Sequence, residues 1–371
     1  MRTGGVLLLA LVLSVPCRGQ TPPPVAPEAP GGYPHLSGVE PAPAEILELG
    51  PEIRRFLDAN IGLNASREAR YLKLQTLVFG KHGLEITYGD SDTRTASQTF
   101  EARSGNCLSF TLLFVAMARY LGLPAYFLEV DEVLSWDHRN DIVLNNRHMF
   151  AEVELYNGFR RVDFLPGVDK SYRRVERIDT TRALAHFYNN RGAELLAAGE
   201  VEPARRYFEQ AIELDPTFPS AWVNRGVAQR RAGDPQLAET SYLHALELDP
   251  LELTAASNLG ALYLSLGRNE EAKPFLERAD QYNRRNPFFF FRRAVRAKSV
   301  GKLVEASDEL RKAIRRMPEE PLFHATLAEV LVARGELRKA RQSLEQAIRL
   351  SSDFDQLDRL RRQLADLDRG R

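Results

Sequence analysis

The sequence predicts an α+β domain followed by an all-α solenoid of paired helices. Three observations lead to this prediction: a mixed helix and strand pattern over residues 45–178, a buried helix headed by Cys107, and a repeat of 34 residues over 181–352. A chain of 371 residues is long enough for two or three domains that each bury a core. Fifty basic and fifty acidic residues give a formal net charge of zero, which offers no support for a nucleic-acid partner.

The N-terminus has the features of an export signal. One positive charge precedes an apolar run at 6–15 that is too short to cross a bilayer of about 30 Å as a helix. Small residues follow, and the pattern predicts a signal peptide over 1–19 with cleavage after Gly19. Acylation of Cys17 as a lipoprotein is the less favoured alternative, because Pro16 stands where a small residue is usual. No transmembrane segment is expected after cleavage.

Residues 20–44 contain eight prolines and no apolar period, which predicts a flexible, polyproline-like tether. If the signal peptide is removed, Cys107 is the only cysteine left, and an intramolecular disulfide is impossible. A thiol that remains in an exported protein is often there for its reactivity. The alternative is a small buried apolar residue.

The segment RSGNC, which ends at Cys107, leads directly into LSFTLLFVAMARYLG. Apolar residues recur after the cysteine at helical spacing: Phe110, Phe114, Met117 and Leu121. Gly122 and Pro124 predict the end of this helix. Cys107 therefore lies on the first turn, where backbone N–H groups without intrahelical partners and the helix dipole favour a negatively charged thiolate.

A nucleophilic cysteine needs an imidazole as its base, and two histidines follow in the strand-rich region. His138 lies in the polar run WDHRND, which predicts a loop, whereas His148 opens the strand HMFAEVEL. Asp163 follows the hairpin signal Asn157-Gly158. A regular hairpin around that turn pairs Asp163 with Glu152, four residues or about 13 Å from His148. A bulge, a coiled sheet or a shifted turn must close this gap if Asp163 is to contact His148.

Three segments together resemble the transglutaminase-like superfamily, a papain-related fold: RSGNCLSFTLLFVAMARYLGLPA, RHMFAEVEL and YNGFRRVDFLP. The resemblance covers roughly 85–170. It implies that Cys107 is the nucleophile, that His148 is the general base and then the general acid, and that Asp163 holds the imidazole tautomer. The implied reaction is acyl transfer from an amide through a thioester, to water in a hydrolase or to an amine in a transferase.

The oxyanion formed in such a reaction would accept from the Cys107 backbone N–H, with Gln98 or Tyr88 as a candidate second donor. No cofactor or metal is expected. The run from Asp90 to Asp92 begins like a calcium loop, but arginine and threonine follow where a ligand and a glycine are required.

From residue 185 the sequence repeats five times with a period of 34, and four columns hold only small residues. Glycine at the fifteenth position predicts the turn within each helix pair: Gly199, Gly233, Gly267, Gly301 and Gly335. Small residues at the eighth position predict a close helix crossing: Gly192, Gly226, Gly260, Ala294 and Ala328. Alanine fills two further columns, at Ala204, Ala238, Ala272, Ala306 and Ala340 and at Ala211, Ala245, Ala279, Ala313 and Ala347.

This pattern resembles the tetratricopeptide repeat family over 185–352, and it implies a solenoid of helix pairs with a concave binding face. Residues 353–371 predict a polar capping helix, which a stacked array needs at its end. The resemblance implies a protein or peptide ligand in the groove. The sixth position of the first three repeats carries carboxamides that would suit a peptide backbone: Asn190, Asn224 and Asn258. Polar helix surface is the alternative interpretation.

Basic residues at other inward-facing positions would suit an acidic segment or a terminal carboxylate: Arg230, Arg231, Arg292 and Lys298. Phe290 is predicted in the core of its repeat. Phe288 and Phe291 are predicted to face the groove as an apolar anchor, or else to pack against the preceding domain.

The sequence thus predicts an exported cysteine acyl-transfer enzyme, with an amidase or protease favoured over a true transglutaminase, whose repeats recruit a protein or peptide. The alternative is a non-catalytic assembly protein in which only the repeats function. A third and weaker hypothesis is a domain that binds peptide or cell-wall amides without cleaving them. The signal and the family resemblance together predict a periplasmic or secreted location in a bacterial envelope.

Overall fold

A computed structural model describes residues 9–13, 40–80, 83–84, 86–88, 92–139, 142–164, 175–351 and 354–369. The fold class is as predicted: a small sheet with helices, followed by a helical repeat solenoid. The chain forms two compact units, Leu9–Leu262 and Tyr263–Arg371. The first unit holds the α+β elements together with the first repeats.

Among its described residues, the α+β part contains five helices: α1 (Pro43–Ile46), α2 (Pro51–Asn60), α3 (Arg67–Phe79), α4 (Ala96–Ala102) and α5 (Cys107–Tyr120). Its strands are β1 (Leu9–Leu13), β2 (Thr87–Tyr88), β3 (Ser104–Gly105), β4 (Ala125–Arg139), β5 (Ile142–Leu155), β6 (Gly158–Val162) and β7 (Val175–Ile178). The main sheet has the order β1-β5-β4-β7, and β6 also pairs with β5. Strands β2 and β3 form a separate parallel pair.

Helix α5 is the centre of this domain. It is buried from Cys107 through Ala118, and the four apolar residues that predicted it are all buried. The ring of Phe164 stacks on Phe110 at 4.8 Å and meets Phe114 edge-on at 6.0 Å. The helix prediction is therefore confirmed, and burial on nearly every side fixes the position of the residue at its start.

The long hairpin β4–β5 corrects one prediction. His138 lies on β4 opposite Val143, so the described part of the polar run WDHRND, residues 136–139, is a strand and not a loop. The run is polar in sequence, yet its backbone hydrogen bonds are made in the ladder with the apolar start of β5, and this pairing outweighs the weak strand propensity of aspartate. The ladder shifts register between Val130 and Ser135.

The second correction concerns the turn between β5 and β6. Leu155 pairs with Gly158, so the two-residue loop is Tyr156-Asn157, one residue earlier than predicted. Gly158 begins β6 with a φ of 113°, a conformation that suits glycine. Val162 then lies opposite Ala151. This shift halves the predicted separation between Asp163 and His148 along the sheet.

The chain before α1 is described only in part. Part of the predicted signal peptide, Leu9–Leu13, forms β1, which runs parallel to Ile142–Asn146. Most of the proline-rich segment lies outside the described residues. Where the chain is described again, Glu40 pairs with Arg206 at 2.9 Å and the Tyr188 hydroxyl donates to the Pro41 carbonyl. Because α1 begins at Pro43, this end of the predicted tether is folded.

The solenoid consists of eleven described helices: α6 (Thr180–Ala197), α7 (Val201–Leu214), α8 (Pro219–Ala232), α9 (Pro235–Leu248), α10 (Leu253–Ser265), α11 (Asn269–Arg285), α12 (Pro287–Ser299), α13 (Leu303–Arg316), α14 (Pro321–Ala333), α15 (Leu337–Leu350) and α16 (Phe354–Arg369). All five turn glycines have positive φ, from 75° to 93°. Both alanine columns are fully buried. The predicted turns and crossings are confirmed.

Within the second unit, α16 covers the last repeat, as predicted. Leu360 of α16 packs with Ala328, Leu344 and Ala347. The predicted aromatic anchor is wrong. Phe288 and Phe291 are buried and contact Phe323 of the next repeat, with ring centroids at 5.0 and 5.3 Å. The rings pack against the next repeat because the stacking of repeats buries more aromatic surface than a solvent-exposed groove would.

We predict that Gly192→Ala destabilises the first repeat. A Cβ at this position would lie 2.6 Å from Cε1 of the buried Phe208 ring, and overpacking of this kind costs about 1–3 kcal/mol. In later repeats, alanine at the same position coincides with leucine in place of the ring, at Leu310 and Leu344. Phe208→Leu should therefore recover part of the loss caused by Gly192→Ala.

Urea unfolding of the two single variants and the double variant measures this coupling. Gly62→Ala is the control, because nothing lies within 4 Å of its added Cβ. Strictly additive losses in the double variant would contradict the prediction.

Candidate active site

The local structure explains each residue of the RSGNC segment. Arg103 ends α4 in the left-handed region with a φ of 51°. At Gly105 a Cβ would lie 2.8 Å from the Ser109 Cβ, so a side chain does not fit. Asn106 is the N-cap of α5, and its Oδ1 accepts from the Ser109 backbone N–H at 3.0 Å. Cys107 is consequently the first residue of a capped, buried helix.

The structure brings His148 and Asp163 together. His148 Nε2 lies 2.9 Å from Asp163 Oδ1, although the two residues are on different strands. The shifted turn accounts for part of this approach, and the end of β6 at Val162 leaves Asp163 outside the ladder. The His148 side chain is 1% exposed and that of Asp163 is 11% exposed. The third predicted member therefore reaches the second.

Cys107 is the third group at this imidazole. Burial lowers the pKa of His148, but hydrogen bonds to Asp163 and to Cys107, together with their charges, raise the pKa to about 9. Because Nε2 faces Asp163, Nδ1 is the ring nitrogen that remains for a proton exchange with the thiol. The order is thus thiol, imidazole, carboxylate, which is the arrangement that activates a nucleophile.

The thiol is inaccessible in this structure. Cys107 is 0% exposed in the full chain, which still contains the predicted signal peptide. Its helix packs against β5 and β4, and Thr111 Oγ1 donates to the Cys107 carbonyl at 2.7 Å. Attack on a substrate therefore requires neighbouring groups to be displaced.

Of the two candidate oxyanion donors, only Gln98 has a described side chain. Gln98 is exposed, and its Oε1 accepts from the Thr95 backbone N–H at 3.1 Å, so its carboxamide caps α4. Tyr88 pairs through its backbone with Gly105, two residues before the thiol, and its side chain lies outside the described set. The side chain of His138 is also outside that set.

The predicted peptide-binding asparagines are buried. Asn190 and Asn224 have no exposed surface, and Asn258 is 3% exposed. Asn224 Nδ2 donates to Asn189 Oδ1 at 2.8 Å. Strand β1 packs against α6 and α8, the helices that carry the first two of them. A ligand reaches these carboxamides only if their present neighbours move.

The basic residues predicted to bind an acidic ligand are either buried or bonded to other groups of the protein. Arg231 donates to the Leu196 carbonyl at 2.9 Å, and burial lowers the pKa of Arg230. Arg292 is half-buried. Lys298 forms an ion pair with Glu329.

Two functional features escaped the sequence reasoning. Asn106 and Ser109 form an N-cap pair whose spacing is visible in the sequence. A buried contact between His186 on α6 and Glu129 on β4, with Nε2 and Oε2 3.2 Å apart, joins the first repeat helix to the sheet. No local pattern could reveal it, because the two residues are distant in sequence.

Comparison with known families agrees with this organisation. Residues 60–164 match the sequence model of the transglutaminase-like superfamily. Residues 189–251, 228–287 and 299–364 match tetratricopeptide repeats. The chain therefore combines a transglutaminase-like domain with a tetratricopeptide-repeat solenoid, which is the class that its fold and repeats define.

No curated protein gives a significant match. Among solved structures, the chain is 23% identical to MamA from Desulfovibrio magneticus RS-1, covering 45% of this chain and 94% of that one, with a TM-score of 0.32. It is 23% identical to a thermophilic TPR protein of Thermus thermophilus, covering 47% and 94%, with a TM-score of 0.37. For pilF of Pseudomonas aeruginosa the identity is 24%, the coverage 51% and 95%, and the TM-score 0.37. At these TM-scores the likenesses carry no argument about function.

Within the described part of the chain, the helices are all too short or too polar to cross a membrane.

We predict that Asp163→Asn lowers the pKa of His148 from about 9, because the raising effect of the carboxylate is lost while burial still lowers the pKa. An NMR titration of the imidazole measures this change. The exposed Asp58, which accepts from the Tyr120 hydroxyl, provides the control variant Asp58→Asn. An unchanged His148 pKa in Asp163→Asn would contradict the assigned contact.

The same shift makes stability depend on pH. The folded pKa lies above the unfolded value of 6.5, so His148 stabilises the fold fully below pH 6.5, and this stability is lost as the pH rises through about 9. The contribution should be on the order of 1–3 kcal/mol and smaller in Asp163→Asn.

Proposed function

We propose that the transglutaminase-like domain is a cysteine acyl-transfer enzyme that acts on amide bonds. The observation that carries this proposal is the contact of one buried imidazole with both other members of the proposed triad. His148 Nε2 lies 2.9 Å from Asp163 Oδ1, and the same ring hydrogen-bonds to Cys107. These three groups come from α5, from β5 and from the residue after β6.

The reaction follows from these positions. The Cys107 thiolate attacks the amide carbonyl, and the Cys107 backbone N–H, at the start of α5, donates to the oxyanion. The tetrahedral intermediate collapses when the imidazolium of His148 gives its proton to the leaving amine, which leaves a thioester on Cys107. His148 then accepts a proton from the second substrate, water or an amine, whose attack releases the acyl group and regenerates the thiol.

Asp163 orients the imidazole throughout, since its carboxylate holds Nε2 and leaves Nδ1 for the proton transfers. A buried carboxylate also balances the positive charge that His148 carries between transfers. Hydrolysis is the favoured outcome, so the proposed activity is that of an amidase or protease, with transamidation as the alternative.

Export and recruitment complete the proposal. Cleavage after Gly19 would release a periplasmic or secreted protein. Tetratricopeptide repeats indicate interaction with other proteins. We assign the ligand to the concave side of the first repeats, where removal of β1 with the signal peptide would take away a strand that packs against α6 and α8, the helices of Asn190 and Asn224. A protein or peptide bound there would be held on the unit that contains Cys107.

We predict that a thiol-directed electrophile modifies the wild-type protein at Cys107 near neutral pH, and that Cys107→Ala abolishes both this modification and amide turnover. His148→Gln should reduce turnover by about a hundredfold or more, since it removes the general base and acid. Mass spectrometry locates the adduct, and a panel of fluorogenic peptide amides, with and without an added amine, measures turnover.

Tyr156→Ser is the matched control, because Tyr156 is 96% exposed on the β5–β6 turn. A folded wild-type protein that resists modification would count heavily against catalysis. In that case, capture of a protein that depends on Asn190, Asn224 and Asn258 but not on Cys107 would support the non-catalytic assembly function.

We also predict that the exported protein begins at Gln20. Expression of the full chain in a bacterium with an outer membrane, followed by intact-mass measurement of the periplasmic fraction, tests cleavage after Gly19. A mass that retains residues 1–19 in that fraction would contradict the signal peptide. A lipid-sized increase on a chain that begins at Cys17 would favour the lipoprotein alternative instead.

A further inference from the structure

The first repeat helix, α6, is part of the transglutaminase-like domain as much as of the solenoid. Every residue from Ala183 to Ala197 is buried. A terminal repeat helix ordinarily exposes one face, but here β4, together with β1 of the predicted signal peptide, packs against it. Its first turn also accepts a hydrogen bond, from Arg119 on α5 to the Thr180 hydroxyl at 3.0 Å.

Glu194 on α6 is a buried carboxylate at this junction. Its Oε1 accepts from the Thr93 backbone N–H at 2.8 Å and from the Thr93 hydroxyl at 2.7 Å. Its Oε2 accepts from Arg191 at 3.1 Å. Burial raises the pKa of Glu194, and Arg191 and Thr93 oppose that effect. An acidic group in such a place costs desolvation energy, and its hydrogen bonds must offset that cost.

The Thr93 hydroxyl continues the chain of hydrogen bonds. It has one proton, which it donates to Glu194, so its lone pairs are free to accept from Asn106 Nδ2 at 2.8 Å. That bond fixes which end of the Asn106 amide is nitrogen. Asn106 Oδ1 must then face α5, where it accepts from the Ser109 N–H and the Ser109 hydroxyl, each at 3.0 Å.

The Ser109 hydroxyl closes the network on the same loop, because it accepts from the Arg94 backbone N–H at 2.9 Å. The loop that follows Asp92 and the first turn of α5 are therefore joined at two points. Cys107 lies between the two capping residues, Asn106 and Ser109. Its backbone N–H, which the proposed reaction uses for the oxyanion, belongs to this capped turn.

We infer that Glu194 is a positioning residue for Cys107: through Thr93 and Asn106 it fixes the first turn of α5, and with it the thiol and the proposed oxyanion donor. The inference rests on the proposed function, and it assigns a chemical role to the first repeat that is separate from partner binding. Without the carboxylate, the Thr93 hydroxyl can reverse its donor direction. The Asn106 amide is then free to flip, and the cap of α5 is lost.

The test uses four variants of the full-length protein. Thr93→Val keeps the shape of the side chain and removes the relaying hydroxyl, whereas Thr93→Ser keeps the hydroxyl. Glu194→Gln keeps the size of Glu194 and removes its charge. Glu202→Gln is the control, since Glu202 is an exposed carboxylate in the same repeat that pairs with Arg205 at 2.8 Å.

The measurements are the second-order rate of Cys107 alkylation by iodoacetamide from pH 5 to 10, kcat and KM for a peptide amide, and the melting temperature. We expect Thr93→Val and Glu194→Gln to slow alkylation at pH 7 by about tenfold or more, as expected for a misplaced reactive group. The pH profile of alkylation should differ from that of the wild type, and kcat should fall more than KM rises. Thr93→Ser and Glu202→Gln should behave as the wild type.

A folded Thr93→Val protein with the wild-type rate and pH profile would overturn the inference. If Thr93→Val does not fold, the same test applies to Glu194→Gln. An alkylation rate and pH profile equal to those of Glu202→Gln would overturn the inference. Wild-type protein that is alkylated but turns over no amide would defeat the proposed enzyme, while the alkylation profiles still test the positioning of Cys107. Folded wild-type protein without alkylation would overturn both proposals.

Discussion

The start of α5 lies inside the protein, where water cannot satisfy the backbone N–H groups that every helix leaves without partners at its first turn. Side chains must satisfy them, and the structure around Cys107 follows from this requirement. Asn106 supplies the cap and Gly105 leaves room for Ser109. The left-handed turn at Arg103 directs the chain into the helix. The same requirement that builds the domain also leaves a thiol where a helix dipole favours negative charge.

Much of this organisation could be predicted from the sequence. The apolar spacing after Cys107 specified α5, and the 34-residue columns specified the solenoid down to its turn glycines. Both patterns are local and periodic, so they can be recognised without knowing which distant residues pack against them. The order Cys107, His148, Asp163 came from a family resemblance, and the structure places the histidine and the carboxylate in contact.

The failures had a different physical origin. The β5–β6 turn lies one residue earlier than its asparagine-glycine signal suggested, because Gly158 serves as the first residue of β6. Such a slip changes which residues face each other, yet it leaves both strands recognisable. Phe288 and Phe291 were predicted in a groove, but Phe323 of the next repeat covers them. Period alone does not say how much aromatic surface a neighbouring repeat can bury.

The repeats differ in how firmly each is bound to its surroundings. Between turn glycines the spacing is constant, and in such arrays each repeat contacts mainly its neighbours. A segment of 34 residues is in principle an exchangeable part, whose gain or loss alters the length of the solenoid and little else. The repeat that begins with α6 is an exception, because its buried acid and histidine are already committed to the sheet domain. Repeats can therefore be added or removed at the C-terminal end of the solenoid, whereas loss of the first repeat would remove the partners of Thr93 and Glu129.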